Sequence, residues 1–171
     1  MYEICNEPNG VDWKTVKRYA EAVIPVIREK TPDSVIIVGD PYWSQDLDSV
    51  VADPLDFDNI MYSLHFYSAS HGVSLSETLK RACDAGLPVF VSEFGITAAT
   101  GDLPRNIGSA DAWIELLEQE HVSYCMWALS KVNEACAMIR HTVPKDSGFD
   151  EDDLTQTGLW LISPLNMYRS R

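Results

Sequence analysis

Basic residues are scarce in this chain. Thirteen Lys and Arg stand against 26 Asp and Glu, leaving a net charge of −13 and an isoelectric point near 4.5. Phosphate backbones and anionic bilayers attract basic surfaces, so neither nucleic acid nor membrane is an expected partner, and a neutral substrate suits the charge better. No apolar run approaches the length that spans a bilayer, and the N-terminus lacks the basic and apolar stretches of an export leader. Cys5, Cys83, Cys125 and Cys136 form no C-x-x-C pair, which excludes a zinc knuckle or a thioredoxin-type motif and leaves them as small buried apolar residues. His65, His71, His121 and His141 lack H-E-x-x-H spacing, and no G-x-x-x-x-G-K-[ST] loop occurs. No metal or other cofactor is expected.

What is present is a regular alternation. Short β-rich runs at 1–5 (MYEIC), 34–39 (SVIIVG), 59–66 (NIMYSLHF), 88–94 (PVFVSEF) and 122–129 (VSYCMWAL) are separated by stretches of helical period, the pattern of parallel strands joined by crossover helices. The segment 13–30 puts Val16, Tyr19, Ala20, Val23, Ile24 and Ile27 on one stripe, interrupted only by Pro25. Segment 74–86 begins with an S-x-x-E capping box and ends at glycine, 109–121 reads as a third helix, and 152–169 as a last, less regular one. With 171 residues, no repeat and no low-complexity linker, the chain reads as a single domain.

Five consecutive βα units suit an open α/β sheet or part of an eight-stranded barrel. The strand ends favour the barrel. Glu7, His65, Glu93 and Trp127 fall at the C-terminal ends of four different strands, where barrel enzymes assemble their sites, and the Gly-rich first turn of a nucleotide-binding open sheet is missing. Glu7 precedes Pro-Asn-Gly, a sequence that ends a strand because proline has no ladder donor and Asn-Gly favours a turn. Two carboxylates among His, Tyr and Trp fit glycoside hydrolysis, in which one acid protonates the leaving oxygen and one carboxylate attacks or activates water. A tryptophan adds a flat apolar face for a sugar ring.

The strings YEICNEPNG, VGDPYWSQD, YSLHFYSASHG, VFVSEFG and MWALSKVNEACA resemble the second half of glycoside hydrolase family 5, in particular its bacterial endoglucanases. The resemblance implies a (β/α)8 barrel of which this chain is the C-terminal half, strands four to eight with their crossover helices. It also implies an extracellular β-glucan hydrolase acting by retention. Glu7 is then the general acid/base, Glu93 the nucleophile, and Asn6 the ligand of the sugar 2-hydroxyl. By the same resemblance His65 and Tyr67 are a pair in which Tyr67 contacts the nucleophile, Trp127 is the platform under the reacting sugar, and Trp43 is a cleft aromatic on the leaving-group side. Where the family often reads K-D-E, this chain has Val132, Asn133 and Glu134 with lysine displaced to Lys131, and Lys131 and Glu134 are assigned to sugar hydroxyls. The arginine and histidine that the family carries on its second and third strands lie outside the matched region.

A half-barrel also raises an expectation about assembly. Two strand edges and an apolar trough would be open, which predicts a homodimer that covers them. In a flat sheet the strands carrying Glu7 and Glu93, three positions apart, would be about 14 Å apart, too far for a retaining pair without curvature. A weak or inactive half-barrel that only binds carbohydrate is the alternative.

Overall fold

A computed structural model describes residues 1–169. Five strands, β1 (Tyr2–Glu3), β2 (Ile36–Val38), β3 (Ile60–Tyr67), β4 (Val89–Gly95) and β5 (Ser123–Met126), form one sheet in the order β1-β2-β3-β4-β5. The β1–β2 and β2–β3 ladders are parallel, with Tyr2 opposite Ile36 and Ile36 opposite Ile60. Strand order follows chain order without reversal, so the sheet has no topological switch point and has the connectivity of half a (β/α)8 barrel.

The strands are shorter than the apolar runs that announce them. β1 ends at Glu3, with one further bond from the Ile4 N–H to the Ile37 carbonyl (3.1 Å) before Asn6-Glu7-Pro8 leaves the ladder. β5 stops at Met126, short of the run that extends to Leu129.

The chain divides into two compact units. The first comprises Met1–His65, Val73–Glu93 and Leu117–Tyr124. Its helix α1 (Trp13–Arg28) starts at Asp12, whose carboxylate accepts the Thr15 N–H at 2.9 Å. Val16, Ala20 and Ile24 are buried as the stripe predicts, but Tyr19 is 45% exposed, because its phenol turns back to donate to the Ile4 carbonyl at 2.6 Å. Pro25 stays inside the helix: the carbonyl it leaves without an N–H partner belongs to exposed Glu21, which water reaches. A short left-handed turn, α2 (Pro41–Ser44), and α3 (Leu47–Ala52) follow β2, neither announced by periodicity. Helix α4 (Val73–Asp84) begins one residue before Ser74, so Ser74 lies within the helix and the S-x-x-E box does not cap it. Its C-terminus behaves as written: Gly86 (φ +77°) donates to the Cys83 carbonyl and Leu87 to that of Ala82, a Schellman closure. Ile36, Val38, Leu64, Val91, Leu79 and Leu47 form the core of this unit.

The second unit comprises Phe66–Gly72, Phe94–Leu116 and the chain from Cys125 on. It holds most of α5 (Ile107–Gln119), the single 3₁₀ turn η1 (Glu151–Asp153) and α6 (Gln156–Arg169). Its core is aromatic: Phe66 stacks on Trp113 with centroids 4.0 Å apart and on Phe94 at 5.2 Å, and Trp160 meets Phe94 edge-on at 6.3 Å.

Of the four cysteines only Cys136 is buried. Cys125 is exposed, Cys5 and Cys83 are half-buried, and all four are free thiols. The expectation of four buried cysteines holds only at Cys136: Cys5 and Cys83 are half-buried, and Cys125 is exposed because β5 alternates exposed and half-buried residues along its length.

Candidate active site

All groups at the heart of the site belong to the first unit. One carboxylate oxygen of Glu7, one ring nitrogen of His65 and one carboxylate oxygen of Glu93 lie within 4.8 Å of one another. Curvature of the sheet and side-chain reach thus close the gap that a flat sheet would leave between groups three strands apart. Each arrives from the C-terminal end of its strand: Glu7 on the turn after β1, His65 near the end of β3, and Glu93 near the end of β4.

His65 organises the cluster. Its ring is 1% exposed. Nδ1 lies 2.9 Å from Glu7 Oε1, and Nε2 lies 2.9 Å from Ser92 Oγ and 3.2 Å from Ser63 Oγ. Behind the ring, Ser92 and Ser63 donate to Glu3 Oε1 at 2.6 and 3.1 Å. Burial by itself pushes the His65 pKa down, but the nearby Glu3 carboxylate, the bond to Glu7 and the negative charges of Glu93 and Glu7 outweigh it, and the net shift is upward. Glu3 mirrors this. Burial pushes it up, yet the nearby His65 ring with its charge and the bonds from Ser92 and Ser63 bring it below its ordinary value. Both shifts favour an imidazolium whose two N–H groups donate, Nδ1 to Glu7 and Nε2 to Ser92.

Carboxylates and imidazole are also metal ligands. Here both ring nitrogens are engaged in hydrogen bonds, and a ligand must be neutral where the surroundings of His65 favour its charged form, so the trio is poorly suited to a cation.

The turn around Glu7 is clamped by the loop after β2. Ser44 Oγ donates to the Asn6 carbonyl at 3.0 Å, and the Trp43 N–H donates to the Pro8 carbonyl at 3.2 Å. Tyr42, Trp43 and Ser44 all have φ between 57° and 60°, a left-handed run that is uncommon for residues with side chains. It leaves Trp43 50% exposed beside the Glu7 turn. Asn6 is exposed.

The remaining sequence-assigned residues lie in the second unit. Tyr67 is buried, its N–H donating to His71 Nδ1 at 2.8 Å. Trp127 is 49% exposed, with its N–H on the Phe94 carbonyl. Lys131 pairs with the Asp146 carboxylate and donates to the Lys145 carbonyl, and Glu134 accepts from the Cys136 thiol at 3.5 Å. Burial and the Glu134 carboxylate push that thiol up to about 11.

Sequence reasoning missed Glu3, Ser63, Ser92 and Asp40. Strand period two does place Ser63 on the face of His65, so that signal was available. Ser92 alternates out of phase with Glu93, and nothing in the sequence marks it.

Comparison with known proteins shows the family of this chain. The family model for cellulase, glycosyl hydrolase family 5, matches residues 1–133. Endoglucanase A of Butyrivibrio fibrisolvens is 48% identical over 171 residues, covering 99% of this chain and 39% of the relative. Endoglucanase E-5 of Thermobifida fusca is 39% identical over 173 residues, covering 96% of this chain and 37% of the relative. Among solved structures, the catalytic domain of Thermobifida fusca endoglucanase Cel5A, in complex with cellotetraose, superposes with a TM-score of 0.91 at 38% identity, covering 97% of this chain and 57% of that one. The chain therefore spans well under two thirds of the proteins it matches.

Proposed function

Because the chain belongs to the cellulase family, glycosyl hydrolase family 5, we propose that it carries the catalytic half of a retaining endo-β-1,4-glucanase. The observation behind this reading is the approach of Glu7 and Glu93 to within 4.8 Å. Retaining glycosidases hold their carboxyl groups about 5 to 5.5 Å apart, whereas inverting enzymes leave about 6.5 to 9.5 Å for a water molecule.

In the first step the Glu93 carboxylate attacks the anomeric carbon and the bond to the glycosidic oxygen breaks. Glu7 gives that oxygen its proton, leaving a glycosyl ester on Glu93. In the second step Glu7 takes a proton from water, which attacks the same carbon and frees Glu93. His65 holds Glu7 Oε1 through Nδ1, which leaves Oε2 to carry the catalytic proton. Asn6 is assigned to the sugar 2-hydroxyl. Trp43 is assigned to the leaving-group side and Trp127 to the platform. Tyr67, Lys131 and Glu134 keep the substrate-handling roles that the resemblance implies.

The test is release of reducing ends from carboxymethylcellulose, with the first anomer followed by NMR. The β-anomer is expected from the wild-type chain, and activity is lost in Glu7→Gln and Glu93→Gln. An α-anomer as first product, or full activity in either variant, rejects the assignment.

The isolated chain is assigned to a homodimer on the ground that β1 and β5 are the two edges of the sheet, and open edges recruit strands. Analytical ultracentrifugation decides: a stable monomer near 19.2 kDa defeats it.

A further inference from the structure

The first unit contains an acid that the proposed chemistry does not use. Asp40, directly after Gly39, is completely buried. Its Oδ1 accepts the Asp46 N–H, its backbone carbonyl accepts the Ser44 N–H at 3.0 Å, and its Oδ2 has no hydrogen-bond partner among the described residues. Asp40 therefore closes the 40–46 loop twice, once through its backbone and once through its side chain. That loop grips the catalytic turn on both sides of Glu7, by Ser44 Oγ on the Asn6 carbonyl and by the Trp43 N–H on the Pro8 carbonyl. Both grips come from Trp43 and Ser44, which with Tyr42 form a run of three consecutive left-handed residues, a conformation that persists only where its surroundings over-determine it.

We propose that Asp40 is a positioning residue for Glu7: by closing the 40–46 loop it holds the left-handed turn that fixes the Asn6-Glu7-Pro8 backbone, and with it the Glu7–His65 contact. The proposal rests on Glu7 as the general acid/base.

The surroundings say which form of Asp40 does this. Burial disfavours the charged carboxylate most strongly. The Asp46 N–H and the charge of His65 on β3 act the other way, while the Asp46 carboxylate on its own loop reinforces burial, and the balance holds Asp40 well above the ordinary carboxylate range. Asp40 is thus biased toward the neutral acid, and what the loop takes from it is an acceptor for the Asp46 N–H. Asparagine supplies that acceptor and alanine does not.

The experiment compares Asp40→Asn with Asp40→Ala in the whole chain. On an aryl β-cellobioside, Asp40→Ala is expected to lower kcat about ten- to hundredfold with KM little changed, and Asp40→Asn to stay within about threefold of wild type. A second readout needs no turnover: the His65 ring, followed by NMR through a pH titration, is expected to titrate at a lower pH in Asp40→Ala, because a displaced Glu7 no longer holds Nδ1–H, and at the wild-type pH in Asp40→Asn. If Asp40→Ala does not fold, Ser44→Ala, which removes only the grip on the Asn6 carbonyl, is expected to lower kcat about three- to tenfold and to shift the His65 titration in the same direction. Wild-type kinetics and titration in Asp40→Ala overturn the proposal, as they do in Ser44→Ala where that variant stands in. So does an Asp40→Asn variant as impaired as Asp40→Ala, which would mean that the charge is what matters. A wild-type chain inactive on every β-glucan would end the glucanase reading, while the His65 titration would still decide this one.

Discussion

Glu3 Oε1 and His65 Nε2 lie 3.7 Å apart, on the side of the ring away from Glu7, and are joined through the hydroxyls of Ser63 and Ser92. The imidazole therefore stands between two carboxylates, one tied to each nitrogen. A ring held at both ends cannot rotate without breaking a charge-assisted bond, so the direction in which it presents Nδ1–H to Glu7 is set by a residue on β1 that no substrate needs to touch.

Removing the link has a defined cost. Ser92→Ala takes away the hydroxyl that accepts from His65 and donates to Glu3. Hydrogen bonds to charged groups contribute about 1.5 to 3 kcal/mol, so urea unfolding should show a loss of that order. A loss below about 0.5 kcal/mol would mean that water replaces the hydroxyl without penalty.

Stability should peak in a definite pH window. His65 is raised in the folded state, so its contribution is complete below its ordinary value of 6.5 and fades as pH rises through the folded value. Glu3 is lowered, so its contribution is complete above its ordinary value of 4.5 and fades as pH falls through the folded value. Between 4.5 and 6.5 both act. Urea midpoints across pH should pass through a maximum there, and His65→Gln should reduce the fall on the alkaline side. A fall of unchanged size in that variant would assign it to another group.

Asp40 has the opposite sign to Glu3. Because its folded form favours the proton, ionisation opposes folding, and this cost grows as pH rises above the ordinary carboxylate value of 3.8. Asp40→Asn should therefore raise the melting temperature at pH 7 more than at pH 4. An equal change at both pH values would show that Asp40 titrates normally.

Gly39 is a packing constraint. A Cβ there would lie 2.6 Å from the Cys5 carbonyl oxygen, 2.9 Å from Pro8 Cδ and 3.0 Å from Ser44 Oγ. Two of these are backbone or ring atoms of the turn that carries Glu7, which cannot step aside without moving that residue. Gly39→Ala is expected to cost about 1 to 3 kcal/mol in stability and to lower kcat. Wild-type stability and turnover together would show that the turn adapts.

Trp127→Ala should leave the fold intact, since the side chain is already 49% exposed. If it is the sugar platform, binding of cello-oligosaccharides weakens by about 1 to 3 kcal/mol, measured by calorimetry. Unchanged affinity removes the residue from that role, and a variant that fails to fold makes it core.

The sequence alone determined the succession of β and α segments, because the shift between period two and period 3.6 is local, and it marked Glu7 where Pro-Asn-Gly must end a strand and His65 and Glu93 near the C-terminal ends of theirs. Pro25 and Ser74 show the limit of local signals: the helix runs through the proline, and the serine of a well-formed capping motif lies inside its helix, since packing outweighs local preferences of about 3 kcal/mol at the proline and about 1 kcal/mol at the cap. Tertiary structure decided the distances. Nothing in the order of residues says that groups on strands three positions apart come within 4.8 Å, that Glu3 and Ser92 reach one imidazole, or that Asp40 is buried beside the catalytic turn. Those depend on strand twist and on close approach at Gly39, and both arise only when the strands pair and the loops pack on their ends.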